Sequence, residues 1–396
     1  MYIARKLAGA FKQAKSSFPS VLVTGPRQSG KTTFLQNETG SNTAYISFDD
    51  PIERGFALTD PHGFLDRFGE SPVILDEVQY VPEILSYLKM RIDRDRKVNG
   101  KWFLTGSQHF HLMKNVSESL AGRIAILELL PFSILEHDVN GRDMLQKAVW
   151  NGGYPDPALH PAKREMWVRS YIQTYIERDV RQLQNIKDLR TFEMFISLAA
   201  AYHGQIFNTA GLSREVGVSL PTIKSWAGVL EASYLCYFLP PYFRNYGKRI
   251  VKTPKLYFTD SAIVCSISKQ PDALSALTGA MGGALFEGFL VSEAVKVFAM
   301  KGMKPDIYFW RSHDGLEVDL IIGIGGKLYP VEIKLTSTPT LMHFDPINKF
   351  KAIAGKDAAD TGLLVCRINK ASSMPNNNIV LPWHQFPEWL SDRLGR

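Results

Sequence analysis

Gly25, Pro26, Arg27, Gln28, Ser29, Gly30, Lys31, Thr32 and Thr33 follow one another in an order that suits one task, the holding of phosphate. Gly25, Gly30, Lys31 and Thr32 fill the fixed places of the pattern G-x-x-x-x-G-K-[ST]. Small or absent side chains let consecutive backbone N–H groups curl around a phosphate at a helix N-terminus. In that arrangement Lys31 bridges the β- and γ-phosphates of ATP, and the Thr32 hydroxyl ligates Mg²⁺. Further on, the apolar run SPVILDE ends in Asp76 and Glu77. Asp76 is placed to hold Mg²⁺ through water, and Glu77 to polarise an attacking water as general base. A strand that simply ends in charge is the plain alternative, and the phosphate loop upstream decides against it. An acid pair also points to hydrolysis rather than binding alone.

The third apolar run, KWFLTGSQHF, ends in Thr105, Gly106, Ser107 and Gln108. A polar residue there senses the γ-phosphate; Thr105 and Ser107 are both placed for it, and Ser107 is preferred. Arg123 stands just before a fourth apolar run. It either reaches a neighbouring subunit's nucleotide to stabilise transition-state charge or is a surface arginine in a turn.

A second set lies in GLEVDLIIGIGGKLYPVEIKLTS, a β-hairpin pattern. Side chains alternate along a strand, so Glu317 and Asp319 share one face, and so do Glu332 and Lys334. The hairpin then offers an apolar face to a core and an acid–acid–lysine face to its other side. Mg²⁺ and Mn²⁺ are hard ions that want oxygen ligands. Asp319, Glu332 and the Ile333 carbonyl supply them, Glu287 from the preceding helix completes the set, and Lys334 orients the water. Against this stands a solvent-facing strand pair whose charges only pair across strands.

These residues need elements to carry them. VLVTG, VILDE and FLTGS are short apolar runs bounded by turn residues, as buried parallel strands are. HPAKREMWVRSYIQTYIERDVRQLQ and LRTFEMFISLAAAYHG repeat apolar residues at helical spacing. NTAGLSREVGVSLPTIKSWAGVLEASYLCYFLP reads as a winged helix-turn-helix, with Gly217 ending one helix and Ser219 and Pro221 opening the next. Its second helix offers Lys224 to DNA, and the segment behind it adds Arg244, Lys248, Arg249 and Lys252. Such a wing follows phosphates without reading bases, or the module packs as a structural connector. His109 and His111 lack acid or Cys companions and read as turn residues, not metal ligands.

Hydrophobic residues at 45% and charged ones at 21% of the 396 place the chain among globular proteins rather than disordered ones. The formal net charge of +7 suits an anionic partner without requiring one. Cys236, Cys265 and Cys366 are scattered, which excludes a disulfide framework or a Cys-based zinc site and points to a reducing cytoplasm. No apolar run is long enough to span a bilayer, so no membrane partner is expected. The N-terminal MYIARKLAGAFKQAKSS lacks the apolar core of a secretory signal and reads as a docking helix.

With these parts in place, GPRQSGKTT, ILDEVQ, LTGSQ, LAGR, LPFS, GGYP and YIERDV make nearly the whole chain resemble a widespread family of bacterial and archaeal AAA-type ATPases. Members carry a C-terminal domain of unknown function. The resemblance implies an α/β P-loop core, ATP and Mg²⁺ as cofactors, and an arginine finger acting between subunits, for which YIERDV offers Arg178 as a rival to Arg123. The ordered set Glu287, Asp319, Glu332 and Lys334 resembles the restriction-endonuclease-like PD-(D/E)XK fold. The expected organisation is an ATPase domain over 1–140, a helical lid or connector over 141–205, a winged helix-turn-helix over 206–275 and an α/β nuclease-like domain over 276–396. A GTPase would want an N-K-x-D motif in the first domain, which is absent there, and a small-molecule kinase gains nothing from Glu77. The expected function is Mg²⁺-dependent ATP hydrolysis coupled to a nuclease-like domain acting on nucleic acid, with assembly of several copies allowing a finger in trans. The alternative is an ATP-driven switch that binds a protein partner, its nuclease-like domain catalytically silent.

Overall fold

Short apolar runs become the strands β1 (Ser20–Thr24), β2 (Ala44–Ser47), β3 (Val73–Asp76), β4 (Trp102–Gly106) and β5 (Ile124–Glu128) in a computed structural model. It describes residues 2–106, 116, 118–137, 144–175, 188–243 and 253–395. Ser107, His109, His111, Arg178, Arg244, Lys248, Arg249 and Lys252 lie outside the described residues. The five strands form one sheet in the order β2-β3-β4-β1-β5, every pair parallel. A parallel sheet must be covered on both faces. Leu22, Leu75 and Leu104 enter one core, and Val21, Val23, Ile74 and Phe103 enter the other.

The N-terminal segment is a docking helix, α1 (Ala8–Ser17), whose Phe11 ring meets Phe34 and Phe103 at 5.4 and 5.6 Å. The phosphate loop leads from β1 into α2 (Lys31–Thr39), and α3 (Ile84–Arg94) buries Leu85, Leu88 and Ile92 in the first core. Because the strands run one way, Thr24, Asp76 and Gly106 end at one edge of the sheet, with β4 between β1 and β3.

The chain divides into two units. One comprises Met1–Phe132, Ala232–Tyr234 and Ala299–Met303; the other comprises Ser133–Glu231, Leu235–Phe298 and Lys304–Arg396. In the second, α4 (Leu189–Ala201), α5 (Thr209–Val216) and α6 (Leu220–Ala232) accompany an antiparallel sheet β6-β8-β7 made of β6 (Gln205–Ile206), β7 (Cys236–Leu239) and β8 (Lys255–Phe258). The Asn208 side chain caps α5, and Gly217 ends it at a left-handed φ of 77°. Trp226 on α6 packs against Phe192 and Phe195 of α4 at 5.1 and 5.4 Å, while Lys224 stays exposed.

The remaining chain adds the helix α7 (Gly282–Met300) and the strands β9 (Ile307–Arg311), β10 (Glu317–Ile324) and β11 (Lys327–Ile333). After them come α8 (Asp345–Ala354), β12 (Leu363–Cys366), β13 (Ser372–Met374) and β14 (Asn378–Pro382). The sheet order is β13-β14-β12-β11-β10-β9, mixing parallel and antiparallel pairs. Beyond Gly288, α7 is buried on every side, so its charges need partners. Glu293 accepts from Ser133 Oγ at 2.5 Å and pairs with Lys296 at 2.9 Å. The segment GGYP is likewise structural, since the Gly153 N–H donates to Asp260 at 2.7 Å and a Cβ on Gly152 would overlap that carboxylate.

Candidate functional site

Gly25 leaves β1 at φ 144°, where a Cβ would overlap the Leu129 carbonyl oxygen, so only glycine opens this loop. Gly30, at φ 91°, caps α2, whose first turn holds no carboxylate. The first N–H groups of α2 are therefore offered to an external anion. Lys31 is buried, and its ammonium folds back onto the carbonyls of Gly25 (3.1 Å) and Pro26 (2.8 Å). Within the loop Gln28 and Thr33 are exposed, Arg27 is half-buried, and the buried Ser29 hydroxyl has no hydrogen-bond partner among the described residues. Arg5 braces the loop from beneath. It donates to Ser29 O at 3.1 Å and Leu130 O at 2.6 Å, over the Phe132 ring.

Asp76, 5% exposed, is the hub of the site. Thr32 Oγ1 donates to its Oδ2 at 2.9 Å, and the Tyr45 hydroxyl donates to the same oxygen at 2.8 Å. Thr105 Oγ1 donates to Oδ1 and accepts the Glu77 N–H at 3.3 Å. Burial, then the hydrogen bond to Asp76 and its charge, push the Tyr45 phenol up to about 12. Glu77 takes a left-handed turn at φ 58°, which lifts its side chain off the line of β3, and Gln79 donates an amide hydrogen to its Oε2. The donor set is a hydroxyl and a carboxylate beside a glycine loop with an ammonium, and it fits a hard divalent cation carried by a polyphosphate. Of the two sensor candidates, Thr105 sits on the hub; Ser107 lies outside the described residues. Sequence reasoning gave no role to Arg5, Tyr45 or Gln79, although Gln79 closes the quoted ILDEVQ.

Arg123 precedes β5, whose Ile124 registers with Ser20 at the start of β1, the edge opposite the phosphate loop. Its guanidinium grips both oxygens of Asp93 at 2.8 and 2.9 Å and holds that carboxyl below its ordinary range. An arginine at that edge does not serve its own phosphate loop.

In the hairpin, Leu320 pairs with Val331, and the next step outward brings Asp319 beside Glu332. Lys334 reaches Asp319 at 3.1 Å and Glu332 at 2.6 Å, and the Ile333 N–H donates to Asp319 at 2.9 Å. Glu287 instead takes Lys255 at 3.0 Å and the Tyr257 hydroxyl at 2.5 Å; Lys255 also reaches Glu317 at 2.5 Å. Two lysines thus divide four carboxylates. Among the described residues no group of three or more His, Cys, Asp or Glu is close enough to hold a metal ion. Glu332 Oε2 is buried and has no hydrogen-bond partner among the described residues. The acid face is not solvent-facing, because Glu287 of α7 and Lys255 and Tyr257 of β8 meet it, and Asp319 and Glu332 are only 4% and 3% exposed.

Burial, then the nearby Asp319 charge, raises Glu287 to about 7 and Glu332 to about 8. The folded chain therefore keeps protons that the unfolded chain releases. That stabilisation is fully present below the ordinary glutamate range and is lost as pH rises through the folded values. The urea unfolding midpoint falls as pH rises from the ordinary glutamate value of 4.5 to about 8, and Glu332→Gln narrows the fall. An undiminished fall in Glu332→Gln removes Glu332 as its source.

Comparisons with known proteins divide the chain into three matched stretches. A family model described as an AAA domain matches residues 17–137, and two domains of unknown function, DUF8612 and DUF4143, match 142–274 and 282–386. An uncharacterized protein of Mycobacterium tuberculosis is 32% identical over 349 residues, covering 86% of this chain and 76% of its own. An uncharacterized protein of Methanocaldococcus jannaschii is 24% identical over 279 residues, 62% of each chain. Among solved structures, the Walker-type ATPase of Pyrococcus abyssi aligns with a TM-score of 0.45 at 15% identity, over 66% of this chain and 94% of that one. No helix among the described residues is long and apolar enough to cross a membrane.

Proposed function

We infer the function from kinship and from the site: the chain belongs to the same family as the Mycobacterium tuberculosis protein, and its N-terminal part is an AAA domain. The reading is a Mg²⁺-dependent ATPase coupled to a nuclease-like domain that acts on nucleic acid. The observation that carries the ATPase half is the Asp76 hub, which joins Thr32 of the phosphate loop to Thr105 beside Glu77.

The backbone from Gly25 to Thr32 holds the phosphates, and Lys31 leaves the loop carbonyls for the β- and γ-phosphates. Thr32 and Asp76 would hold Mg²⁺, which when bound neutralises charge on the phosphate oxygens. Glu77, steadied by Gln79, takes a proton from the water that attacks the γ-phosphorus as the bond to ADP breaks. Thr105 or Ser107 senses the γ-phosphate. Arg123, once released from Asp93, or Arg178 serves the site of a second copy.

Nucleic acid is the favoured partner of the second unit. The helices α4 to α6 with the sheet β6-β8-β7 support a winged-helix reading, and Lys224 with the basic run Arg244 to Lys252 suits a phosphate backbone. Asp319 and Glu332 on adjoining strands, Lys334 just past the second, and one glutamate oxygen without a hydrogen-bond partner among the described residues support a nuclease-like site. The alternative of a switch for a protein partner, with a silent nuclease-like domain, draws on one observation: Lys255 and Tyr257 bond Glu287 while Lys334 bonds Asp319 and Glu332, and among the described residues no three such acids are close enough to hold a metal ion. Incubation of circular and linear DNA with Mg²⁺ or Mn²⁺, with and without ATP, separates the two. On the favoured reading the wild type cuts and Asp319→Ala does not. A wild type that hydrolyses ATP but cuts neither substrate removes the nuclease half and leaves the switch.

A further inference from the structure

A carboxylate oxygen has two lone pairs, and at Asp76 Oδ2 both are taken, one by Thr32 and one by Tyr45. Tyr45 belongs to no nucleotide-binding motif. It lies on β2, the edge strand, opposite Ile74, and its ring runs forward along the sheet to the carboxylate that registers with Ser47. At 41% exposure the ring can turn outward without opening either core. Thr32 is the hydroxyl that would join Mg²⁺, and Thr32 is anchored at Oδ2. A hydrated cation at Thr32 therefore approaches Asp76 from the side where the acceptor is already filled.

We propose that Tyr45 is a positioning residue that caps Asp76 in the metal-free site and surrenders Oδ2 when hydrated Mg²⁺ arrives with ATP. This rests on the ATP-binding reading above. The cap has a physical cause, because a carboxylate buried without a cation needs hydrogen bonds in its place. It also sets the Mg²⁺ concentration at which the site loads. Removing the hydroxyl raises the energy of the metal-free state and leaves the loaded state untouched, so the cation binds more tightly. A tyrosine that merely supports the fold or the loaded site gives the opposite sign.

The test uses Mn²⁺ in place of Mg²⁺, with free ion counted by electron paramagnetic resonance. The full chain carries a non-hydrolysable ATP analogue, and wild type is compared with Tyr45→Phe, which keeps the ring. Tyr45→Phe is expected to bind Mn²⁺ about tenfold more tightly, the weight of a hydrogen bond to a charged group. Affinity for the analogue without metal stays unchanged. Unchanged or weaker Mn²⁺ binding in Tyr45→Phe overturns the proposal and spares the ATP reading if the wild type binds the analogue. A wild type that binds no analogue overturns both.

Discussion

Replacing Glu77 with glutamine lowers ATP hydrolysis by about 10²- to 10⁴-fold, the usual weight of a general base, while ATP binding persists. Glutamine keeps the shape and the hydrogen bond to Gln79 but accepts no proton from water. The change keeps the Glu77 backbone N–H and its bond to Thr105, and it leaves the side chains of Lys31, Thr32 and Asp76 in place. Single-turnover phosphate release beside equilibrium binding of a fluorescent ATP reads the two effects separately. Loss of binding together with hydrolysis would make Glu77 part of the binding site and not the base.

Lys31→Ala has the other large effect, on a different step. The ammonium is buried and at present bonded to the loop's own carbonyls. Without it the γ-phosphate loses a charge-assisted bond in ground and transition states alike. A nucleotide that binds only the folded chain adds about 2.7 kcal/mol of stability at roughly a hundredfold excess over Kd. Thermal unfolding of the wild type should rise by the corresponding amount with Mg²⁺ and ATP, and that rise should vanish in Lys31→Ala. A variant stabilised as much as the wild type would show that phosphate sits elsewhere.

The phosphate loop and the Asp76–Glu77 pair were legible because each is one continuous piece of chain whose spacing is its chemistry. The parallel strands that carry them were legible for a related reason, since strands covered on both faces must be apolar throughout. Tyr45, Thr105 and Arg5 meet the same site from separate pieces of chain, and only register and packing bring them there. Thr105 was named as one of two choices, and nothing in its spacing favoured it over Ser107. The hairpin was legible in its strands and in which acids share a face. Its burial was not, because a strand's second face is decided by what covers it, here Glu287 from α7 and Lys255 and Tyr257 from β8. Nor does alternation reveal that Lys255 holds one pair of acids and Lys334 the other. The family motifs LPFS and GGYP carried the resemblance, yet Ser133 and Gly153 serve buried carboxylates of the fold.

On the proposed function, the Asp76 hub and the phosphate loop make a Mg²⁺-dependent ATPase. The most direct test is inorganic phosphate release from ATP by the purified full chain, with Mg²⁺ and with EDTA, beside Lys31→Ala. The wild type should turn over with Mg²⁺ and not with EDTA, and Lys31→Ala should be slower by about 10²- to 10³-fold. Equal release from Lys31→Ala, or none from the wild type under any condition, would contradict it.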